Sequence, residues 1–324
     1  MQYFTFNITG DIINNVSEWN KWVDTVDQHK PIRLDFNFEP VCAYSSGIFN
    51  SLVQKGIDVN KIKTVDYPNS HPDVPFRVSQ YTHEWRECAF YTPSLVNNWN
   101  QKNVFGLFIG RPTTARVICM YFLAKNQNTM ISHLQNAGIA TWNVTDPVKD
   151  LELSYQWHDY FDLQKIDLWY SNQQIPSLDN LSIEDQYHKS TTGWRAEKSI
   201  QRWYNDFLVE IVMETTTVGK VFNPTEKTLR PFVCGKPALI YAAKDHIEML
   251  NCCGLKTYGN FWDESYDTLA GPERLLAILE QMKYIESMSK RQLLQLYHAS
   301  IQIAHHNRKR IEQIRKSRRD PCIP

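Results

Sequence analysis

The chain has 324 residues, 42% hydrophobic and 22% charged, with no formal net charge. That length has room for two domains at roughly 100–200 residues each, and the neutral balance excludes a global electrostatic pull toward nucleic acid or membrane. No apolar run approaches the ~18 residues of a membrane-crossing helix.

Seven cysteines, odd in number and without a Cys-x-x-Cys pair, argue against a zinc site or a disulfide framework. They point to reduced thiols in a cytoplasmic compartment. The opening MQYFTFNITGDIINN lacks a basic segment followed by an apolar core, so no signal peptide is expected.

In chain order, YFTFNI (3–8) reads as a strand, VSEWNKWVDTV (16–26) as a helix, and PIRLDFNF (31–38) as a strand ending at Glu39-Pro40. SSGIFNSLVQKG (45–56) is a short helix closed by Gly56, and KTVDYPN (63–69) a further strand. VFGLFIG (104–110) is a continuous apolar run of the kind buried parallel strands show. A helix with Pro and Thr at its start follows over 111–126. Strand, loop and helix in repetition predict a parallel sheet covered by helices.

Residues 145–190 are irregular, and a junction is expected there. The expected units are 1–150, a junction at 151–198, a second α/β unit at 199–270, and C-terminal helices at 271–324. Within the second unit FLVEIVMET (207–215) is β-rich, PALIYAA (237–243) is a strand, and DHIEMLNCCG (245–254) is a helix closed by Gly254. From Pro272 the pattern is almost wholly helical, with Ser289 as N-cap of the last helix.

Between those two strands lies NPTEKTLRPFVCGKP (223–237), a helix that starts at Thr225-Glu226-Lys227 and stops at Gly235. Pro231 inside it predicts a kink. A helix N-terminus presents free N–H groups and partial positive charge, a natural seat for phosphate. Lys227 adds a full charge there. Glu226 repels phosphate but accepts hydrogen bonds from sugar hydroxyls such as those of a ribose. The plainer reading is a surface helix capped by Thr225.

The surrounding segment, FLVEIVMETTTVGKVFNPTEKTLRPFVCGKPALIYA, resembles the donor-binding motif of fucosyltransferase-type GT-B glycosyltransferases. In that motif a strand ends in Phe-Glu-Asn, Thr-Glu-Lys opens a helix, and Gly-x-x-Pro turns into the next strand. Here the matching residues are Met213-Glu214-Thr215, Thr225-Glu226-Lys227 and Gly235-Lys236-Pro237. This chain departs from the motif in having Thr215 for Asn, a longer loop, and Pro231.

The resemblance covers 207–267 and extends to KTYGNFWDESYD, which is similar to a segment of viral and bacterial glycosyltransferase-like proteins. It implies a GT-B-like α/β fold of two Rossmann-like domains facing a central cleft. It also implies Lys227 on the donor diphosphate, Glu226 on the ribose, Glu214 lining the pocket, and inversion at the sugar. No catalytic role passes to Asp263, Glu264 or Asp267.

No Asp-x-Asp occurs in the chain, so a nucleotide-sugar co-substrate without a metal or other cofactor is expected. The leaving charge then falls to cations and the helix dipole. Gly110-Arg111, between a strand and a helix start, makes Arg111 a candidate for the donor phosphates across the cleft, with Arg116 to join it.

Transfer to a hydroxyl calls for a base. Glu39, just after an expected parallel strand, is the first candidate, Asp35 the second, and His83 with Glu84 the third. The expected acceptor is a glycan or glycoprotein, or a hydroxylated base in DNA.

Between His305 and Arg319 seven cations face the single acid Glu312. That basic tail (308–319) is either a DNA or anionic-surface contact or a solvated helix end. Two other readings remain: a non-catalytic nucleotide-sugar or glycan-binding module, and a nucleotide-sugar-modifying enzyme such as an epimerase.

Overall fold

The computed structural model describes residues 4–7, 16–27, 32–35, 54–58, 62–67, 78–80, 99–109, 113–126, 128–133, 156–172, 202–214 and 224–317, with isolated positions such as Leu52, Thr217 and Phe222. It is α/β, with two four-stranded sheets, both wholly parallel.

The first sheet runs in chain order: β1 (Phe4–Asn7), β2 (Ile32–Asp35), β3 (Ile62–Tyr67) and β4 (Val78–Gln80). Helix α1 (Val16–Thr25) joins β1 to β2. Phe4 pairs with Ile32, and Ile32 with Ile62.

The second sheet has the order β6-β5-β7-β8, from β5 (Phe105–Ile109), β6 (Thr129–His133), β7 (Val209–Met213) and β8 (Ala238–Tyr241). Strands β5, β7 and β8 are buried at every position, as central parallel strands are. Their one charged residue is Glu210. Gly106 has a packing reason: a Cβ there would meet the Phe207 ring at 2.6 Å.

This order crosses the expected domain boundary. Residues 104–126 lie in the expected unit 1–150, yet Phe105 pairs with Val209 and Leu107 with Ile211. The expected junction also contributes structure to the same core. Helix α3 (Leu163–Ser171), capped by Asp162 at 3.1 Å from the Lys165 N–H, buries Ile166 and Tyr170 there along with Trp157 and Phe161. Its Trp169 meets Tyr121 edge-on.

Helix α2 (Thr114–Ala124) connects β5 to β6, and α4 (Glu226–Cys234) connects β7 to β8. Helix α4 is continuous through Pro231 and ends at left-handed Gly235 (φ 84°), where the Lys236 N–H reaches back to Pro231 O at 2.9 Å. Helix α5 (His246–Cys252) ends on left-handed Gly254 (φ 79°), with Gly254 N–H on Asn251 O and Leu255 N–H on Leu250 O. Those two bonds form a Schellman motif.

Helices α6 (Gly271–Glu286) and α7 (Lys290–Ser317) complete the chain's described part. Ser289 caps α7 as expected, and Gln292 reciprocates: its Oε1 accepts from the Ser289 N–H at 2.8 Å. That is a capping box.

Helix α7 packs on α4 and fastens the C-terminal ends of α4 and α5. The Ser300 hydroxyl lies between Gly235 O at 2.9 Å and Tyr297 O at 2.6 Å, Arg308 donates to Val233 O at 3.5 Å, and Arg310 to Cys253 O at 2.6 Å. Asn307 bonds both the N–H and the C=O of Lys256. Two cations of the basic tail therefore serve helix C-termini, where positive charge is favoured. Lys316 pairs with Glu312 at 2.7 Å.

The expectation of reduced thiols holds for Cys119, Cys234 and Cys252, which are thiols, but not for Cys253, which is disulfide-bonded. Among the described residues, no helix is long and apolar enough to cross a membrane.

Candidate functional site

In the second sheet the chain moves outward in one direction from β5 to β6 and in the other from β7 to β8. The right-handed crossover rule sends α2 and α4 to opposite faces. Between β5 and β7 the strand order reverses, and such a switch point opens a crevice at the strands' carboxyl ends where ligands bind. The β5–α2 and β7–α4 connections flank it. Arg111, Glu214, Thr225, Glu226 and Lys227 all belong to these connections or to the helix start beyond them.

Glu214 directly follows β7 and is buried. Its carboxylate accepts from the N–H of Thr225 at 3.0 Å and of Thr228 at 3.1 Å, and from the hydroxyls of both, at 2.6 and 2.5 Å. It therefore takes up two of the amide donors at the head of α4, where a phosphate was expected. Thr225 caps the same helix through the Lys227 N–H at 3.3 Å. The half-buried Lys227 ammonium lies 3.4 Å from the Thr225 hydroxyl.

Arg116 is buried on α2, and its Nη2 donates to the carbonyls of Met213 and Glu214, both at 3.1 Å. It thus spans the switch point and braces the end of β7. Glu226 opens α4, and its side chain lies outside the described residues, as do Glu39, His83, Glu84 and Arg111. Asp35 is the last residue of β2, at the carboxyl end of a parallel strand.

A second carboxylate, on β7 itself, was not expected from the sequence. Residues two apart on a strand share a face, so Glu210 and Glu214 both face α4. Glu210 is paired with Arg230 of α4 and receives the Tyr204 hydroxyl, while Arg230 Nε donates to that hydroxyl at 2.6 Å. Burial pushes the Glu210 carboxyl above its ordinary range, against the pull of Arg230, and burial pushes Tyr204 well up. Phe108 stacks on Tyr204. The available signal was a lone glutamate inside the apolar run Val209–Met213.

The β8–α5 turn reaches the same end of the sheet. Arg274, fully buried, donates to Ile240 O, Ala243 O, Asp267 O and, at 2.7 Å, Asp267 Oδ1. Asp267 Oδ2 in turn accepts the Glu248 N–H of α5 at 2.9 Å. Asp245 takes a left-handed conformation (φ 64°) that delivers His246, whose Nε2 lies 3.3 Å from the Thr228 hydroxyl. Burial, with the Arg274 charge, brings the His246 pKa down to about 3, so the ring is neutral.

Glu264 holds Thr257 and the Tyr258 N–H, and Asp263 holds Ser265. These acids serve local structure. Among the described residues, no group of three or more His, Cys, Asp or Glu side chains is arranged to hold a metal ion.

Comparison with known proteins finds no family model and no curated protein that matches this chain.

Proposed function

We propose that the chain is a GT-B-like glycosyltransferase that moves a sugar from a nucleotide-sugar to an acceptor hydroxyl. The observation that supports it most is the switch point between β5 and β7, flanked by the connections that carry Arg111 and Thr225-Glu226-Lys227. A nucleoside diphosphate across that crevice would meet Lys227 from one side and Arg111 from the other. Glu226 would accept from the ribose hydroxyls.

Because Glu214 occupies the head of α4, the leaving diphosphate would sit beside Lys227 rather than on the helix axis. Glu214 would then set the lysine's position without touching the donor. Glu39, following β2, would take the acceptor proton as the acceptor oxygen bonds the anomeric carbon and the diphosphate departs, with inversion. The leaving charge would be met by Lys227 and Arg111, the kind of preorganised stabilisation that lowers such barriers. The acceptor would be a glycan or a hydroxylated base, and in the second case the exposed part of the basic tail would contact DNA.

The test is a thermal-shift panel of UDP, GDP, CDP, ADP and dTDP with their sugar conjugates, on wild type and Lys227→Ala. A ligand at 100 times its Kd adds about 2.7 kcal/mol. Stabilisation of the wild type by one diphosphate, lost in the variant, is the expected result. No stabilisation by any of them removes the reading.

A further inference from the structure

The hydrogen bonds around Glu214 continue beyond the helix it caps, and their proton positions follow from elementary donor counting. An ionised carboxylate only accepts. The Thr225 and Thr228 hydroxyls, at 2.6 and 2.5 Å from Glu214, must therefore each spend their single proton on it. Thr228 Oγ1 then has only lone pairs for its other neighbour, His246 Nε2 at 3.3 Å. A neutral imidazole carries one N–H, so the proton is on Nε2 and Nδ1 bears the lone pair. Nδ1 is buried without a hydrogen-bond partner, so the ring's one described polar contact is with Thr228. At the other end, Thr225 Oγ1 receives the Lys227 N–H at 3.3 Å and faces its ammonium at 3.4 Å.

One chain of contacts thus runs from His246 through Thr228, Glu214 and Thr225 to Lys227. The histidine end is held by packing. The ring is buried against Phe222, with ring centres 5.2 Å apart, on a turn that Arg274 and Asp267 pin to the end of β8. The Thr228 hydroxyl has alternative rotamers, and a fixed donor behind it selects the one that aims at Glu214.

We propose that His246 is a positioning residue for Lys227, acting through Thr228 and Glu214 to set the first turn of α4 for a diphosphate. This rests on the reading of Lys227 as the diphosphate contact.

The experiment titrates inorganic pyrophosphate into the full-length wild type, His246→Leu, His246→Gln, Thr228→Val and Lys227→Ala, with the melting temperature of each recorded separately. Loss of one positioning hydrogen bond is expected to weaken binding about fivefold in His246→Leu and in Thr228→Val. His246→Gln, whose terminal N–H stands in for Nε2–H, is expected to recover affinity to within about twofold of wild type. A purely structural role would move the melting temperature without this rescue.

Wild-type affinity in His246→Leu, with loss in Lys227→Ala, overturns the positioning role and leaves the donor site standing. Wild-type affinity in Lys227→Ala, or no binding by the wild type, overturns both. Should His246→Leu not fold, wild-type affinity in Thr228→Val overturns the positioning role.

Discussion

The head and the middle of helix α4 are held to one strand face by different chemistry. At its head Glu214 is satisfied by two amides and two threonine hydroxyls, without a cation among those four donors. Further along, Glu210 is met by the Arg230 guanidinium and the Tyr204 hydroxyl inside an aromatic core. The first arrangement works by local donors that the fold already orients. The second removes two charges from water, so it adds little net stability against an apolar alternative, while breaking it is costly. The deep pair thus specifies where α4 sits, and the cap sets how its first turn is presented to the crevice.

The largest test of that contrast is Arg230→Met, which leaves Glu210 buried without its cation. It should cost about 3–5 kcal/mol in urea unfolding. The double replacement Glu210→Met with Arg230→Met should recover most of it. A loss below about 1 kcal/mol in the single variant would mean that the pair contributes little to holding the helix.

Titration separates the two ends next. Below pH ~6.5 the unfolded chain takes up a proton on His246. The folded ring refuses that proton down to about pH 3, so stability falls as pH drops through that window. Lys236, in the turn that follows α4, is buried with its ammonium on Phe207 O at 2.9 Å, and desolvation brings its pKa down to about 7. Between there and ~10.4 the unfolded chain holds a proton the folded amine has released, so stability rises with pH. Each group should contribute a slope of about 1.4 kcal/mol per pH unit inside its own window. His246→Gln should flatten only the acid limb and Lys236→Met only the alkaline one. A variant that flattens neither limb would show that its group does not carry that dependence.

Thr228→Val tests the cap itself. It keeps the shape and removes one hydroxyl from Glu214, for a loss of about 1–2 kcal/mol. A loss as large as that of Arg230→Met would erase the distinction between the two anchors. The smallest effect belongs to the exposed Lys316–Glu312 pair on α7, where Lys316→Ala should cost about 0.3–0.5 kcal/mol. A larger value would mark that pair as part of the fastening of α7.

Much of α4 is legible in the sequence. Thr225 as its cap, Gly235 as its stop and the apolar strands on either side depend on neighbours within a few residues. Pro231 did not interrupt the helix. The partners of Glu214 and Arg116 were not legible, because a side chain's direction depends on what the sheet brings near it. Arg116 read as a residue that joins Arg111 on the phosphates, and its Nη2 meets the carbonyls of Met213 and Glu214. His246 read only as a residue inside a helix.

By itself the sequence determined the alternation of parallel strands and helices, the caps at Thr225 and Ser289, and the glycine stops at 235 and 254. These follow from backbone sterics and periodicity over one or two turns. Only the tertiary structure decided that β5 lies beside β7 rather than in the N-terminal sheet, and so created the switch point. Strand neighbours about a hundred residues apart leave no periodic trace in either segment, since a buried parallel strand is apolar on both faces whichever strand it joins.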